Sequence, residues 1–338
     1  MSKSRGLRPS SFSVNWFKYR LPNGDEIISG ASGRLLQDLS EEGFAIAPFH
    51  NEEVGTLLIP ADIKNPDEAI LTPLHSPLYP STSEADYLNE VAAIASHFTG
   101  RRGKTVASRC IRIDTEIDLN ATFQSLCDSF PDAFIFMFST EATGTWIGAS
   151  PELLLEASHC GVATMALAGT RPAAESGEWD PKNIEEQQMV TDYIVNILNQ
   201  CCEEVEVSPT FTKQAGKVAH LCTPIRASRP RVALSHLLQK LSPTPALCGS
   251  DKEESFRIIS SLERHRREMY GGFCGPNRLN GTTSFFVTVR AAKCSDDAVC
   301  VYAGGGITQH SVPAMEWEET EMKSKTITQN IISKSTKQ

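Results

Sequence analysis

Two hydrophobic periods alternate along the last two thirds of the chain. Runs that alternate in polarity, or stay apolar for several residues, predict strands; apolar positions three and four apart predict helices. Strands are expected at 104–113 (KTVASRCIRI), 133–140 (AFIFMFST), 144–157 (GTWIGASPELLLEA), 284–294 (SFFVTVRAAKC) and 298–308 (AVCVYAGGGIT), the last two as a pair. Helices are expected at 118–130, 184–202, 232–241 and 254–270, and from about Glu316 to Ile332. The 184–202 helix has the clearest buried stripe: Met189, Ile194, Ile197 and Leu198.

The first hundred residues are less regular. Residues 17–30 (FKYRLPNGDEIISG) predict a hairpin turning at Pro22-Asn23-Gly24. Short strands are expected at 44–49 and 54–60, and a Pro-rich surface loop at 66–81. Residues 83–100 predict a helix capped by Ser83 and stopped by Gly100, with Tyr87, Val91, Ile94 and Phe98 on one face. Internal repeats and low-complexity tracts are absent from the sequence.

Composition narrows the class. The 338 residues are 40% hydrophobic and 22% charged, an ordinary globular balance with enough length for a sizeable core. A net charge of −9 argues against a nucleic-acid surface, and the acids are spread along the chain as for solubility. The start, MSKSRGLRPSSF, lacks an apolar leader, and the ten cysteines contain no CxxC pair. The expectation is reduced, mostly buried thiols in a cytoplasmic protein. No apolar run reaches membrane-spanning length.

Seven segments are weighed for chemistry. In GASPELLLE (148–156) a small-residue turn leads Glu152 into three leucines. Apolar surroundings raise a carboxyl pKa, so Glu152 is a candidate proton donor near neutrality. Glu186 lies near the start of the strong helix, and Glu316 and Glu319 stand at i and i+3 on the last one. Carboxylates converging from two helices without His or Cys suit a hard cation such as Mg2+, and Glu186 and Glu319 are the chosen ligands. Glu185, Glu318 and Glu321 read as acids complementing helix dipoles. The glycines of AGGGIT (303–308) let a backbone approach an anion, and a carboxylate fits better there than a nucleotide phosphate. Arg290 offers a planar fork for that carboxylate, and Lys323 a second positive charge. Lys104 becomes a competent base if it is buried beside cations. His220 stays open between orienting a substrate and filling the core; the other seven histidines follow no ligand spacing.

In this order, KTVASR, GASPELLLE, ALAGT, the Glu186 helix, HLCTPIRA, LSPTPALCG, ERHRREMYGGFCG, VTVRAAK, YAGGGIT and EWEETEMKSK resemble the chorismate-utilising enzymes. That family contains isochorismate synthases, salicylate synthases, anthranilate synthase large subunits and aminodeoxychorismate synthases. The resemblance runs from about Lys104 to the end. It implies an α+β fold like that of anthranilate synthase component I, with two facing antiparallel sheets flanked by helices and the site between them. It implies a single chorismate-binding domain over 1–338, with a variable part at 1–100 and the motif-bearing part at 101–334. It implies Mg2+ on Glu186 and Glu319, and a chorismate site lined by Gly169, Thr170, Ala246, Arg290, Gly304 and Lys323, with His220 placed beside them. Glu152 matches the general acid and Lys104 the base that activates water.

Individual residues favour one branch. Ala168 stands where aminodeoxychorismate synthases carry a nucleophilic lysine, which leaves water as the nucleophile. Anthranilate synthases generally lack the lysine matching Lys104 and take ammonia from a glutaminase subunit, so no such partner is expected, and neither is a tryptophan site in residues 1–100. The segments PTPAL (243–247) and HLCTPI resemble isochorismate synthases more than salicylate synthases. The resemblance therefore implies a Mg2+-dependent isochorismate synthase acting as a monomer, with salicylate synthase and then anthranilate synthase component I as alternatives. The product could serve menaquinone, siderophore or salicylate formation. Two departures stand out: Gln187 replaces the usual His after the metal Glu, and Asn183 replaces a frequent acid.

Overall fold

The computed structural model describes residues 14–50 and 55–334. The basic start at 1–12 and Val54 of one expected strand lie outside the described residues. The chain opens with β1 (Asn15–Arg20), β2 (Ile27–Ser32), β3 (Gly43–Ala47), β4 (Leu57–Pro60) and β5 (Ile63–Lys64). Helix α1 (Glu84–His97), β6 (Thr105–Asp114) and α2 (Leu119–Ser129) follow. Next come β7 (Phe134–Thr140), β8 (Gly144–Ser150), β9 (Leu153–Ser158), β10 (Gly161–Pro172) and the long helix α3 (Pro181–Cys201). Beyond it lie β11 (Glu204–Val207), β12 (Phe211–Ala215), β13 (Val218–Ser228), α4 (Leu234–Leu241) and α5 (Lys252–Leu262). The last elements are β14 (Phe273–Asn277), β15 (Ser284–Val287), β16 (Ala291–Cys294), β17 (Ala298–Ile307) and α6 (Pro313–Thr328).

Among the described residues the strands form two antiparallel sheets. The first runs β5-β2-β1-β7-β8-β16-β17-β6; the second runs β11-β13-β10-β9-β15-β14-β3-β4, with β12 also on β13. They face each other across an aromatic core in which Phe134 of the first stacks on Phe286 of the second, 4.1 Å apart, and Phe17 stacks on Phe44 at 5.0 Å. Strand β7 shows why its segment is apolar throughout. Phe134, Phe136 and Phe138 point into this core, while Ile135 and Met137 join a second cluster with Leu119, Phe123 and Leu126 of α2. A strand covered on both faces has no polar alternation to show. Of the strands from the first hundred residues, β1 and β3 are interior members, pairing with β7 and β14, while β4 and β5 lie at the sheet edges.

The expected hairpin forms, with Tyr19 opposite Ile28 and Asn23 at φ +56° in its turn. The predicted helix at 83–100 ends at His97, with Ser83 capping the Asp86 N–H. Other expectations are corrected. The strand expected at 144–157 breaks at Pro151 and Glu152: β8 belongs to the first sheet and β9 to the second. The strand expected at 284–294 breaks likewise, and Arg290 sits in the link between β15 and β16 at φ +51°. The helix expected at 254–270 stops at Leu262, because Glu263 turns extended (φ −71°, ψ 132°). Its buried carboxylate accepts from the Ser108 N–H at 2.8 Å and pairs with Arg267 at 2.5 Å. That buried network outweighs helical propensity. Of the expected stripe of α3, Ile194, Ile197 and Leu198 are buried and Met189 is only half-buried; the stripe also takes in Glu186, Gln187, Val190 and Thr191. Helix α6 starts at Pro313, earlier than expected, with proline at a first-turn position where its missing N–H costs nothing. The polar edge strands β11 and β12 were not expected. All ten cysteines are free and nine are buried. Among the described residues no helix is long and apolar enough to cross a membrane.

Candidate active site

Glu152 and Arg290 occupy two of the places where the chain passes between sheets, and these two passages lie side by side. The Val287 N–H donates to the Glu152 carbonyl and the Ala149 N–H to the Arg290 carbonyl, both at 3.0 Å. Proline at 151 has no N–H to continue a ladder, so the break needs no unpaired donor there.

A cavity of about 590 Å³, its open mouth included, lies between β17 of the first sheet and β10 and β13 of the second. Of the residues singled out in the sequence, Glu152, Gly169, Thr170, Glu186, His220, Ala246, Arg290, Gly304 and Lys323 line it. Lys104 and Glu319 stand at its margin. The buried Lys104 ammonium pairs with Glu186 at 2.7 Å, and Glu319 pairs with Lys323 at 2.5 Å. The partner of Lys104 is thus a carboxylate, not the cations the sequence reading invoked.

Glu152 is 3% exposed. Burial pushes its carboxyl up to about 7, against the hydrogen bond from Thr244 Oγ1 at 3.2 Å and the charges of Lys104, Lys213 and Arg290. The acid therefore keeps its proton in part of the population at neutral pH. Burial also lowers Arg290 to about 10, which leaves the guanidinium charged at neutrality. Its Nη1 donates to Thr326 Oγ1 and its Nη2 lies 3.0 Å from His220 Nε2. His220 Nδ1 lies 2.8 Å from the Gly169 carbonyl, which can only accept, so the proton is on Nδ1 and Nε2 accepts from Arg290. Burial, then the Arg290 and Lys323 charges, hold His220 well below the usual imidazole range and neutral. His220 is thus both buried and on the cavity wall, hydrogen-bonded to Arg290.

The carboxylates gather around Gly305 and Gly306. A Cβ on Gly305 would lie 3.1 Å from Glu316 Oε2 and 3.5 Å from Glu319 Oε1, and one on Gly306 would collide with Glu186 Oε1. For Glu186 burial raises the pKa, but the Lys104, Lys323 and Lys182 charges override it and hold the carboxyl low. For Glu316 burial wins, helped by the Glu319 charge, and its pKa is raised despite Lys182 at 2.7 Å. Ser311 also weighs on Glu316, yet the buried Oε2 has no hydrogen bond of regular geometry; neither does the buried Tyr87 hydroxyl nearby. Oxygen donors with an orphaned carboxylate oxygen among them fit a hard cation. Among the described residues no three His, Cys, Asp or Glu side chains close a metal shell by themselves. Mg2+ commonly leaves the remaining positions to water and ligand oxygens.

Several contributors escaped the sequence reading. Tyr270 and Tyr302 line the cavity, and Lys213 donates to the Pro151 carbonyl at 2.8 Å; Glu316, set beside Glu319 in the sequence but not chosen as a ligand, joins the carboxylate group. Tyr270 fell inside a stretch expected to be helical, and Lys213 lies on a polar edge strand with no periodic signal.

Known proteins resemble this chain in sequence and fold. The profile of the family described as chorismate binding enzyme matches residues 64–332. The chain is 29% identical over 308 residues to the vibriobactin-specific isochorismate synthase of Vibrio cholerae, covering 84% of this chain and 78% of that protein. The structure of the menaquinone-specific isochorismate synthase of Escherichia coli superposes with a TM-score of 0.78 at 20% identity, over 94% of this chain and 88% of the other. Anthranilate synthase component I of Streptococcus pneumoniae has the same fold, with a TM-score of 0.69 at 17% identity over 96% and 94%. With a profile match across most of its length and the family's facing-sheet fold, the chain belongs to the chorismate binding enzyme family.

Proposed function

We propose that this chain is a Mg2+-dependent isochorismate synthase, converting chorismate to isochorismate. The observation that carries the reading is a buried acid poised near pH 7, Glu152, within reach of the charge of a buried lysine, Lys104, at one cavity. The similarity to isochorismate synthases and the methyl group of Ala168 beside the ligand space support water as the nucleophile.

Once Lys104 has released its ammonium proton to solvent, the free amine takes a proton from water, and the water oxygen bonds to C2 of chorismate. The ring double bonds shift, the C4–oxygen bond breaks, and Glu152 delivers its proton to the departing hydroxyl, which leaves as water. Proton return from Lys104 to Glu152 through solvent resets the site. Arg290 and Lys323 offer positive charge to the carboxylates of the ligand, and His220 keeps the guanidinium in place. Glu186 and Glu319 would hold the ion, with Glu316 beside them. Bound Mg2+ supplies charge that offsets these carboxylates and those of the ligand. The bond made and the bond broken are alike, so the reaction is expected to run both ways.

Incubation of the protein with chorismate, with and without Mg2+, followed by product separation, tests this. Isochorismate alone, formed only with Mg2+, is expected. Salicylate with pyruvate would move the chain to the salicylate synthases, anthranilate with added ammonia to the anthranilate synthases. Unchanged chorismate would end the proposal.

A further inference from the structure

Asn183 and Gln187, the two departures from the family pattern, sit one turn apart on α3, close to Glu186, and both reach β10. Gln187 is buried. Its Oε1 accepts from the Ala168 N–H at 2.8 Å, and its Nε2 donates to the Ala166 carbonyl at 3.0 Å and to Thr223 Oγ1 at 2.9 Å. Asn183 Oδ1 accepts from the Thr170 N–H at 2.9 Å. Between these contacts β10 slips register against β13, from Ala168 to Arg171, and Gly169 takes φ +67°. A Cβ on Gly169 would lie 3.2 Å from Asn183 Cβ and Oδ1, so the turn is packed directly on Asn183. The Gly169 carbonyl in turn accepts from His220, and His220 accepts from Arg290.

The geometry points to a role for both amides: Asn183 and Gln187 are positioning residues that set the substrate side of the cavity, fixing the Gly169–Thr170 turn and, through His220, the Arg290 guanidinium. This rests on the reading of the cavity as a chorismate site. The chemistry of the amides suits the task. A bulged strand leaves N–H groups without ladder partners, and a buried orphan is costly. Gln187 supplies one acceptor and two donors at once, which neither a carboxylate nor an imidazole can match. One helical turn thus holds an ion-facing carboxylate and the ligand turn in fixed relation.

The test compares wild type with Asn183→Ala, Asn183→Asp and Gln187→Met, measuring kcat and KM for chorismate, Mg2+ affinity by calorimetry, and the unfolding midpoint. Asn183→Ala, which removes one hydrogen bond to the turn, is expected to raise KM about tenfold, and Gln187→Met, which removes three, at least as much, with kcat and Mg2+ affinity within about threefold. Asn183→Asp keeps the acceptor and is expected to return KM toward wild type. An unchanged KM, a fall in kcat alone, or an Asp variant as poor as Ala would overturn the proposal. If Gln187→Met does not fold, the half-buried Asn183 pair decides alone. If wild type leaves chorismate unchanged, the functional reading has failed, and hydrogen exchange at the Thr170 amide then decides the positioning role. Faster exchange in Asn183→Ala supports it, and equal exchange refutes it.

Discussion

A single methyl at Gly306 tests whether the Lys104–Glu186 pair needs its position. Gly306 lies on β17 opposite Val106, and an added Cβ would sit 2.5 Å from Lys104 Cε and 3.1 Å from its Nζ, and closer still to Glu186 Oε1. Non-bonded carbons settle at about 3.5–4.0 Å, so one partner must retreat by roughly 1 Å. Both are buried and packed, so the displacement is felt in the site rather than absorbed by solvent. A misplacement of that size in a positioned group costs on the order of 100-fold in rate, or about 2.7 kcal/mol. Gly306→Ala is therefore expected to lower kcat/KM for chorismate about 100-fold. Gly306 is not at positive φ, so the backbone tolerates alanine and the unfolding midpoint should stay within a few degrees. Gly305→Ala is the internal comparison: its Cβ would lie 3.1 Å from Glu316 Oε2, a milder conflict, and a smaller loss is expected. Chorismate turnover with excess Mg2+, beside a melting curve, is the assay. A folded Gly306→Ala enzyme within threefold of wild type would refute the argument.

Glu152→Gln should lower kcat by about 10²–10⁴-fold, the usual contribution of a general acid. Because burial raises this carboxyl to about 7, its proton is present below that pH and lost above it, so wild-type kcat/KM should fall as pH rises through 7. The folded form also holds the proton more tightly than the unfolded chain, so this group's contribution to stability is full below the unfolded carboxyl pKa and declines up to about pH 7. Denaturant titrations of the Gln variant should lack that slope, and an identical alkaline limb in its rate profile would exclude Glu152 as its source. Glu186→Gln is expected to weaken Mg2+ binding at least about tenfold by calorimetry; unchanged affinity would remove Glu186 from the ion site. Glu263→Gln leaves the buried Arg267 without its countercharge and should cost about 3–5 kcal/mol in urea unfolding. A loss below about 1 kcal/mol would mean that the Leu247 and Val106 carbonyls satisfy Arg267 alone.

Some of this was legible before any coordinates. The apolar periods of 118–130, 133–140 and 184–202 announced α2, β7 and α3, because each segment's burial repeats with its own backbone geometry. Glu152 beside its leucines reads as an acid of raised pKa, and burial in the structure raises it, although the Thr244 hydroxyl from elsewhere in the chain acts against the rise. Other features had no local signature. An apolar run does not reveal which sheet it joins, so the breaks at Glu152 and Arg290 were read as continuous strands. The helical pattern past Leu262 was overridden by the pairing of Glu263 with Ser108 and Arg267.

The chain's linear order thus determined which segments are helical or extended and which residue types are available for acid, base and cation chemistry. Only the folded structure decided that Glu152 and Arg290 mark adjacent passages between sheets, that Lys104 faces a carboxylate, and that His220 is neutral and orients Arg290. The reason is range. Periodicity is set by neighbours a few residues apart, whereas the Thr244–Glu152 and Arg290–His220 contacts join side chains 92 and 70 positions apart. Their charge states follow from burial that neither segment creates alone.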